Sequence, residues 1–138
     1  MNKKLKCVLL IDDEPITNHL HKKILSIADV AENVIVALNG EEALEIIHNA
    51  HINSENNYPK PELIFLDINM PRMNGWEFIT EYQKREKCSN YNHVIIMLTA
   101  SLNYEDALKA STFPSITAFR NKPLNVEMVK KIVYENFN

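Results

Sequence analysis

The sequence is poor in glycine, with two in 138 residues, and this shortage excludes whole classes of nucleotide site. A Walker A loop requires the motif GxxxxGK[ST], and a dinucleotide-binding fingerprint requires GxGxxG. Gly40 and Gly75 lie too far apart in the sequence to belong together in either motif. The chain therefore has no glycine-rich loop with which to hold a nucleotide.

Cysteine and long apolar runs are equally scarce. The two cysteines, Cys7 and Cys88, supply neither a disulfide framework nor a set of zinc ligands. The apolar run after the basic N-terminus stops at Asp12 and Asp13, far short of a signal peptide or a membrane span. We therefore expect a cytoplasmic protein that does not bind a membrane.

The charge balance shows no basic excess. Fifteen Lys and Arg residues stand against 18 Asp and Glu residues, which gives a net charge of -3. A dedicated nucleic-acid binder usually carries clustered basic charge, so we expect no nucleic-acid partner. The length predicts one domain over residues 1–138.

Short apolar segments alternate with helical patterns along the whole chain. The apolar segments, each predicted to be a strand, are 7–11, 34–38, 63–66, 94–98 and 116–119. Between and after them, apolar residues recur with a helical period, as at positions 16, 20, 24 and 27; the segment 103–111 is the weakest of the five predicted helices. This alternation predicts an α/β fold, a doubly wound five-stranded parallel sheet with five helices. The polar segment 51–61 interrupts the rhythm, and we expect it to form an exposed, mobile loop.

Polar residues follow four of the predicted strands. Asp12 and Asp13 follow the first, Asp67 the third, Thr99 the fourth and Lys122 the fifth. Because the carboxyl ends of parallel strands meet at one edge of a sheet, these side chains should converge. Close carboxylates repel one another by about 4 kcal/mol per pair at an effective dielectric constant of 20, so the cluster calls for a divalent cation such as Mg²⁺. Beside two positive charges, Asp67 could attack a phosphoryl group whose oxygens they neutralise, with a hydrogen bond from Thr99.

These residues lie in motifs that together resemble the response-regulator receiver domain of two-component signalling over essentially the whole chain. The motifs are DD at 12–13, LDINMPRMNG at 66–75, TA at 99–100 and FRNKP at 119–123. The resemblance implies the flavodoxin-like strand order 2-1-3-4-5. It also implies that Asp67 is the phosphoacceptor and that Asp12, Asp13, Asp67 and the backbone carbonyl of Asn69 bind Mg²⁺.

The resemblance further implies how such a domain would signal. Thr99 and Lys122 would sense the phosphoryl group, Thr99 and Phe119 would act as the switch, and the peptide bond between Lys122 and Pro123 would be cis. A histidine kinase or histidine phosphotransfer protein would donate the phosphoryl group. The face formed by helix 4, strand 5 and helix 5 would then engage an unknown protein target. We expect a stand-alone monomer or weak dimer without an output domain, and not a turnover enzyme.

Several alternatives stay open. Asp12 and Asp13 could merely cap a helix that begins near Pro15. The chain could instead be a Mg²⁺-dependent phosphatase of the haloacid-dehalogenase type, although that chemistry needs a second Asp where this chain has Asn69. It could also be a binding module that works without phosphate.

Two further features bear on the interpretation. The segment Phe113, Pro114, Ser115 replaces the Gly-Ala usual in the family and leaves the length and position of helix 4 open. The five histidines show no metal-binding spacing, and we expect them on the surface or on helix faces; they are His19, His21, His48, His51 and His93.

Overall fold

The computed structural model describes residues 4–53, 60–89 and 91–137, except for the side chains of residues 88 and 89. Strands and helices alternate in these residues: β1 (Leu5–Ile11), α1 (Pro15–Ala28), β2 (Ala31–Ala37), α2 (Gly40–Ile52), β3 (Leu63–Asp67), α3 (Gly75–Ser89), β4 (Val94–Thr99), α4 (Tyr104–Ser111), β5 (Ala118–Asn121) and α5 (Val126–Phe137). The five strands of this described part are all parallel and have the order β2-β1-β3-β4-β5. The predicted fold class and strand order are therefore confirmed.

Two apolar layers cover the two faces of the sheet. Leu9 and Ile11 of β1 point into a layer shared with α2, α3 and the end of α4, whereas Val8 and Leu10 point into a layer shared with α1 and α5. Every residue of β3 is buried, as expected for a central strand with helices on both sides. Burial raises the pKa of Cys7, also in β1, to about 11, consistent with a thiol that acts as a small core residue.

The edge strands differ most from their predicted positions. We predicted β5 at 116–119, but it runs from Ala118 to Asn121, because Ile116 is held in a turn by a hydrogen bond from its N–H to the carbonyl of Phe113. The other edge strand, β2, begins at Ala31 with residues that are largely exposed and polar. Apolar runs locate central strands well, but an edge strand has a solvent-exposed side and needs no such run.

Helix α1 buries a different face from the predicted one. The predicted apolar stripe is mostly exposed, with Ile16 at 78% and Ile27 at 60% exposure. The inner face instead carries Asn18 and His21 together with Leu25 and Ala28. Each of these polar side chains forms one hydrogen bond to a loop backbone group, which offsets part of the cost of burying it, while Oδ1 of Asn18 is buried without a partner in the described residues.

Of the five histidines, His93 contradicts the prediction that all lie on the surface or on helix faces, whereas His21 lies on a helix face that is buried. His21 is buried in α1. His93 is half-buried before β4, where its Nδ1 lies 2.6 Å from the hydroxyl of Tyr82. Tyr91 packs edge-on against His93, at 5.5 Å between ring centroids. The rings of Tyr82 and Tyr91 surround the imidazole of His93 and partly bury it. The residues next to His93 in the sequence do not predict this burial.

The predicted loop at 51–61 lies partly outside the residues that the structure describes, which omit 54–59. Its first two residues, His51 and Ile52, are the last turn of α2, so the prediction of a loop there is wrong. Helix α2 continues for two residues into the segment that we predicted to be a loop from its polar composition. In the described segments of the chain, no helix is both long and apolar enough to cross a membrane.

Candidate functional site

The carboxyl edge of the sheet brings together residues from three strand ends. One carboxylate oxygen each of Asp12, Asp13 and Asp67 lies within 4.8 Å of the other two. Lys122 enters the cluster from the loop after β5. Its Nζ donates a hydrogen bond to Asp12 Oδ2 at 2.5 Å and lies 3.1 Å from Asp67 Oδ1. Residues far apart in sequence therefore form a single charged cluster.

This cluster is mostly shielded from water. Asp12 is 4% and Asp67 6% exposed, whereas Asp13 is exposed at the mouth of the cluster. Burial raises the pKa of the Asp67 carboxyl, the charge of Asp12 raises it further, and Lys122 opposes both effects. Burial alone would lower the pKa of Lys122, but the hydrogen bond to Asp12 and the charge of Asp67 raise it overall. The lysine is therefore firmly charged, while the carboxylates still exceed it in number.

The donor set suits a hard divalent cation. Three carboxylates offer oxygen ligands close together, and Mg²⁺ favours such oxygens with open positions left for water or phosphate. Asn69 is exposed in the loop directly after β3, two residues beyond Asp67. One lysine cannot neutralise three carboxylates, so a second positive charge at the mouth would relieve their repulsion.

Thr99 ends β4 and is 3% exposed. Its hydroxyl shares two hydrogen bonds of 3.2 Å with the backbone of Ser101, and in the described residues no hydrogen bond joins it to Asp67. The carbonyl of Thr99 accepts the N–H of Lys122 at 2.7 Å. The end of β4 therefore also anchors the segment that carries the lysine, and the peptide bond from Lys122 to Pro123 is cis.

Asp12 also shows part of the helix-capping behaviour that we considered. Its Oδ1 accepts the N–H of Glu14 at 3.0 Å. Helix α1 begins at Pro15, and Glu14 caps it without a side-chain hydrogen bond. Because the other carboxylate oxygen of Asp12 binds Lys122, the local turn and the cluster both use this residue.

Gly75 is a site residue whose importance the sequence argument missed. It opens α3 directly behind the phosphoacceptor candidate, and its N–H donates to the carbonyl of Ile68 at 2.8 Å. A Cβ atom at this position would lie 2.6 Å from the carbonyl oxygen of Asp67 and 2.9 Å from Cα of Ile68. The available signal was the Asn-Gly pair at the end of LDINMPRMNG, since Asn74 caps α3 through Glu77.

The segment that departs from the family pattern packs against α3. Phe113 stacks on Trp76 with ring centroids 5.8 Å apart, and Nζ of Lys109 lies 4.7 Å from the Trp76 ring centre. Ser115 donates its hydroxyl to Glu86 at 2.6 Å. These contacts place α4 at Tyr104–Ser111, close to the predicted 103–111.

Phe119 lies in β5 and is half-buried. It packs against the apolar layer on the α2, α3 and α4 side of the sheet. Its strand pairs with β4 next to Thr99, since Met97 faces Phe119 and Thr99 faces Asn121 in the register. A movement of the backbone at the end of β4 would therefore displace the paired residues of β5, including Phe119.

Comparison with known proteins places this geometry in a family context. A family model described as the response regulator receiver domain matches residues 8–134. The chain is 25% identical to the response regulator Rcp1 of Synechocystis sp. over 128 residues, which cover 93% of this chain and 84% of that protein. It is 30% identical over 109 residues to the nitrate/nitrite response regulator protein NarL of Escherichia coli, covering 79% of this chain and 44% of NarL. The chain thus spans less than half of NarL.

Solved structures that resemble this chain also include response regulators and receiver domains. A two component response regulator from Cytophaga hutchinsonii superposes with a TM-score of 0.86 at 26% identity, covering 96% of this chain and 97% of that one. The receiver domain of the histidine kinase CKI1 from Arabidopsis thaliana, complexed with Mg²⁺ and BeF₃⁻, superposes with a TM-score of 0.76 at 25% identity, covering 94% and 88%. Both likenesses extend across nearly the whole sheet and its helices.

Proposed function

Because the chain belongs to the family of response regulator receiver domains, signalling modules of two-component systems, we propose that it accepts a phosphoryl group on Asp67. The observation that carries this proposal is the position of Asp67. Its carboxylate ends a central strand beside Asp12 and Asp13 and lies 3.1 Å from the ammonium of Lys122. A nucleophilic oxygen, a fixed cation and a cluster that favours a second cation are therefore present together.

The same cluster would hold the metal. Asp12, Asp13 and Asp67, with the backbone carbonyl of Asn69, are the residues that would bind Mg²⁺. When bound, Mg²⁺ would neutralise part of the negative charge on the phosphoryl oxygens.

The phosphoryl transfer can be written as a balanced reaction between Asp67 and a phosphohistidine. A carboxylate oxygen of Asp67 donates an electron pair to phosphorus, and the P–N bond of a phosphohistidine breaks. The electron pair of that bond remains on the imidazole, whose other ring nitrogen carries a proton, so the donor leaves as neutral histidine. The ammonium of Lys122, already beside Asp67, stabilises the charge on the transferred group. We infer that the Thr99 hydroxyl then turns from Ser101 towards a phosphoryl oxygen.

The switch would follow from this turn of Thr99. We infer that its movement makes room next to β5 and that Phe119 rotates into the apolar layer. The surface formed by α4, β5 and α5 would then change shape for a downstream protein. Phe119 has no hydroxyl, so packing alone would decide its position.

The partner that supplies phosphate would be a histidine kinase or a histidine phosphotransfer protein. The likeness to the receiver domain of the histidine kinase CKI1 supports this class of donor. Asn69 argues against the phosphatase alternative, because an amide cannot act as the acid and base that would turn over a phosphoaspartate. We therefore infer a phosphoacceptor rather than a turnover enzyme.

A phosphorylation assay with a small donor tests the proposal. The chain is incubated with Mg²⁺ and acetyl phosphate, and we expect intact-mass analysis to show one added phosphoryl group. Asp67→Asn should abolish this gain. Asp29→Asn should retain it, since Asp29 is an exposed carboxylate at the far end of α1. Beryllium fluoride with Mg²⁺ should also change the fluorescence of Trp76, the only tryptophan.

The following results would contradict the proposal. No gain in mass in the wild type, or an undiminished gain in Asp67→Asn, would refute Asp67 as the acceptor. Release of inorganic phosphate over many turnovers, without build-up of phosphoprotein, would favour the phosphatase.

A further inference from the structure

Helix α1 buries two polar side chains one turn apart. Asn18 is 4% and His21 1% exposed, on the face that a helix against a sheet normally fills with apolar residues. Asn18 Nδ2 donates to the carbonyl of Asp12 at 2.8 Å. His21 Nε2 accepts the N–H of Leu124 at 3.2 Å. The helix is thus bonded to both loops whose side chains form the Asp12 and Lys122 pair.

The second of these loops is held at two points. The N–H of Lys122 donates to the carbonyl of Thr99 at 2.7 Å, and the N–H of Leu124 donates to His21. These two hydrogen bonds hold the backbone at Lys122, whose side chain carries the ammonium group, and two residues further on at Leu124. Leu124 is itself 2% exposed, so its amide has no access to water as an alternative partner. Without His21, a buried N–H would remain unpaired, which is costly.

The imidazole of His21 accepts this bond in its neutral form, with the proton on Nδ1. Burial lowers the pKa of His21, the nearby charge of Lys122 lowers it further, and the charge of Asp12 acts the other way. The acceptor is therefore retained at neutral pH.

From this geometry, and on the premise that Asp67 is the phosphoacceptor, we propose that His21 is a positioning residue for Lys122. Through the Leu124 amide it fixes the segment after β5 against α1, so that the ammonium is already next to Asp12 and Asp67 when a phosphoryl group arrives. His21 touches neither the phosphoryl group nor the acceptor and acts through the backbone alone.

Three variants test this role through the rate of phosphorylation by acetyl phosphate with Mg²⁺. His21→Leu removes the acceptor and should slow the reaction by about three- to tenfold, the effect of losing one hydrogen bond. His21→Gln keeps an acceptor oxygen near the position of Nε2 and should recover most of the wild-type rate. His19→Leu makes the same substitution at an exposed histidine of the same helix and should leave the rate unchanged.

A measurement on the wild-type chain does not depend on the folding of any variant. The ¹⁵N–¹⁵N coupling across the hydrogen bond between Leu124 N and His21 Nε2 should be detectable by NMR, and the Leu124 amide should exchange slowly. A missing coupling together with fast exchange would overturn the proposal, as would a folded His21→Leu that is phosphorylated at the wild-type rate. If the wild type takes up no phosphate while the coupling is present, the proposed function fails and the hydrogen bond stands.

Discussion

At the scale of single residues, the tightest steric constraint on the site is at Gly75. The atoms that a Cβ would meet there are backbone atoms of Asp67 and Ile68, which cannot rotate away. Gly40 stands at the same position of α2, yet the atoms nearest to its Cβ would belong to the side chain of Met73, at 2.8 Å and beyond. A methionine side chain is flexible and can move. The two glycines of the chain therefore occupy equivalent positions in their helices but have different neighbours, and Gly40 serves as a control for Gly75.

We expect Gly75→Ala to lower the free energy of unfolding by about 1–3 kcal/mol, the usual cost of overpacking. The displaced backbone should also slow phosphorylation of Asp67. Gly40→Ala should be neutral or slightly stabilising, because alanine is the better helix former by up to about 1 kcal/mol. Urea unfolding of both variants measures the difference. Equal stability of the two would show that the Asp67 backbone yields more easily than its contacts indicate.

The residues of the acidic cluster could be placed from sequence because each follows a recognisable strand. Asp12, Asp67 and Lys122 needed only the rule that parallel strands end at one edge. His21 could not be placed in this way, since its burial depends on the rotation of α1 about its own axis. The buried face is marked by one hydrogen bond to the loop just before the helix and one to the distant loop after β5, whereas the predicted apolar stripe of the helix is mostly exposed.

At the scale of secondary-structure elements, α4 is attached to α3 through aromatic rather than aliphatic contacts. Trp76 in the first turn of α3 contacts both the ring of Phe113 and the ammonium of Lys109. Only Ala110 of α4 is buried, so the helix has little apolar surface of its own with which to pack. Its position therefore depends strongly on these contacts and on the turn that follows it.

Removing the charge above Trp76 should measurably weaken this attachment. We expect Lys109→Gln to cost about 0.5–1 kcal/mol, the value of a cation–π contact near the surface, and to change the emission of Trp76. Lys131→Gln, at an exposed position of α5, removes an equal charge away from any such ring and serves as control. Urea unfolding followed by circular dichroism gives both values. Identical stabilities would mean that the lysine contributes nothing to holding α4.

At the scale of the whole molecule, the acidic cluster lies at the carboxyl ends of the strands, whereas a group of aromatic rings lies near the amino end of β4. Near the amino end of β4, burial lowers the pKa of His93 to about 4, and the charges of His51 and Lys60 act in the same direction. The folded protein therefore binds fewer protons at this residue than the unfolded chain, whose histidine pKa is about 6.5. The stability due to neutral His93 is fully present above pH 6.5.

We accordingly expect the chain to lose stability as the pH falls from about 6.5 to about 4. The contribution of His93 over this window is at most about 3 kcal/mol. His93→Asn keeps an acceptor near Nδ1 but does not titrate, so its stability should fall less steeply. His48→Asn, at an exposed position of α2, should follow the wild type. Urea midpoints measured at several pH values test this, and parallel curves for all three chains would refute it.

The late position of Lys122 in the chain also has a consequence for biosynthesis. Asp12 and Asp67 leave the ribosome before the lysine that binds both of them. At about 5–20 residues per second, the interval between translation of Asp67 and of Lys122 is about 3–11 s. During that time Asp12 and Asp67 lack the lysine ammonium that binds both of them in the folded protein. On the proposal that Asp67 is the phosphoacceptor, a newly made chain becomes competent for phosphorylation only after its last strand has docked.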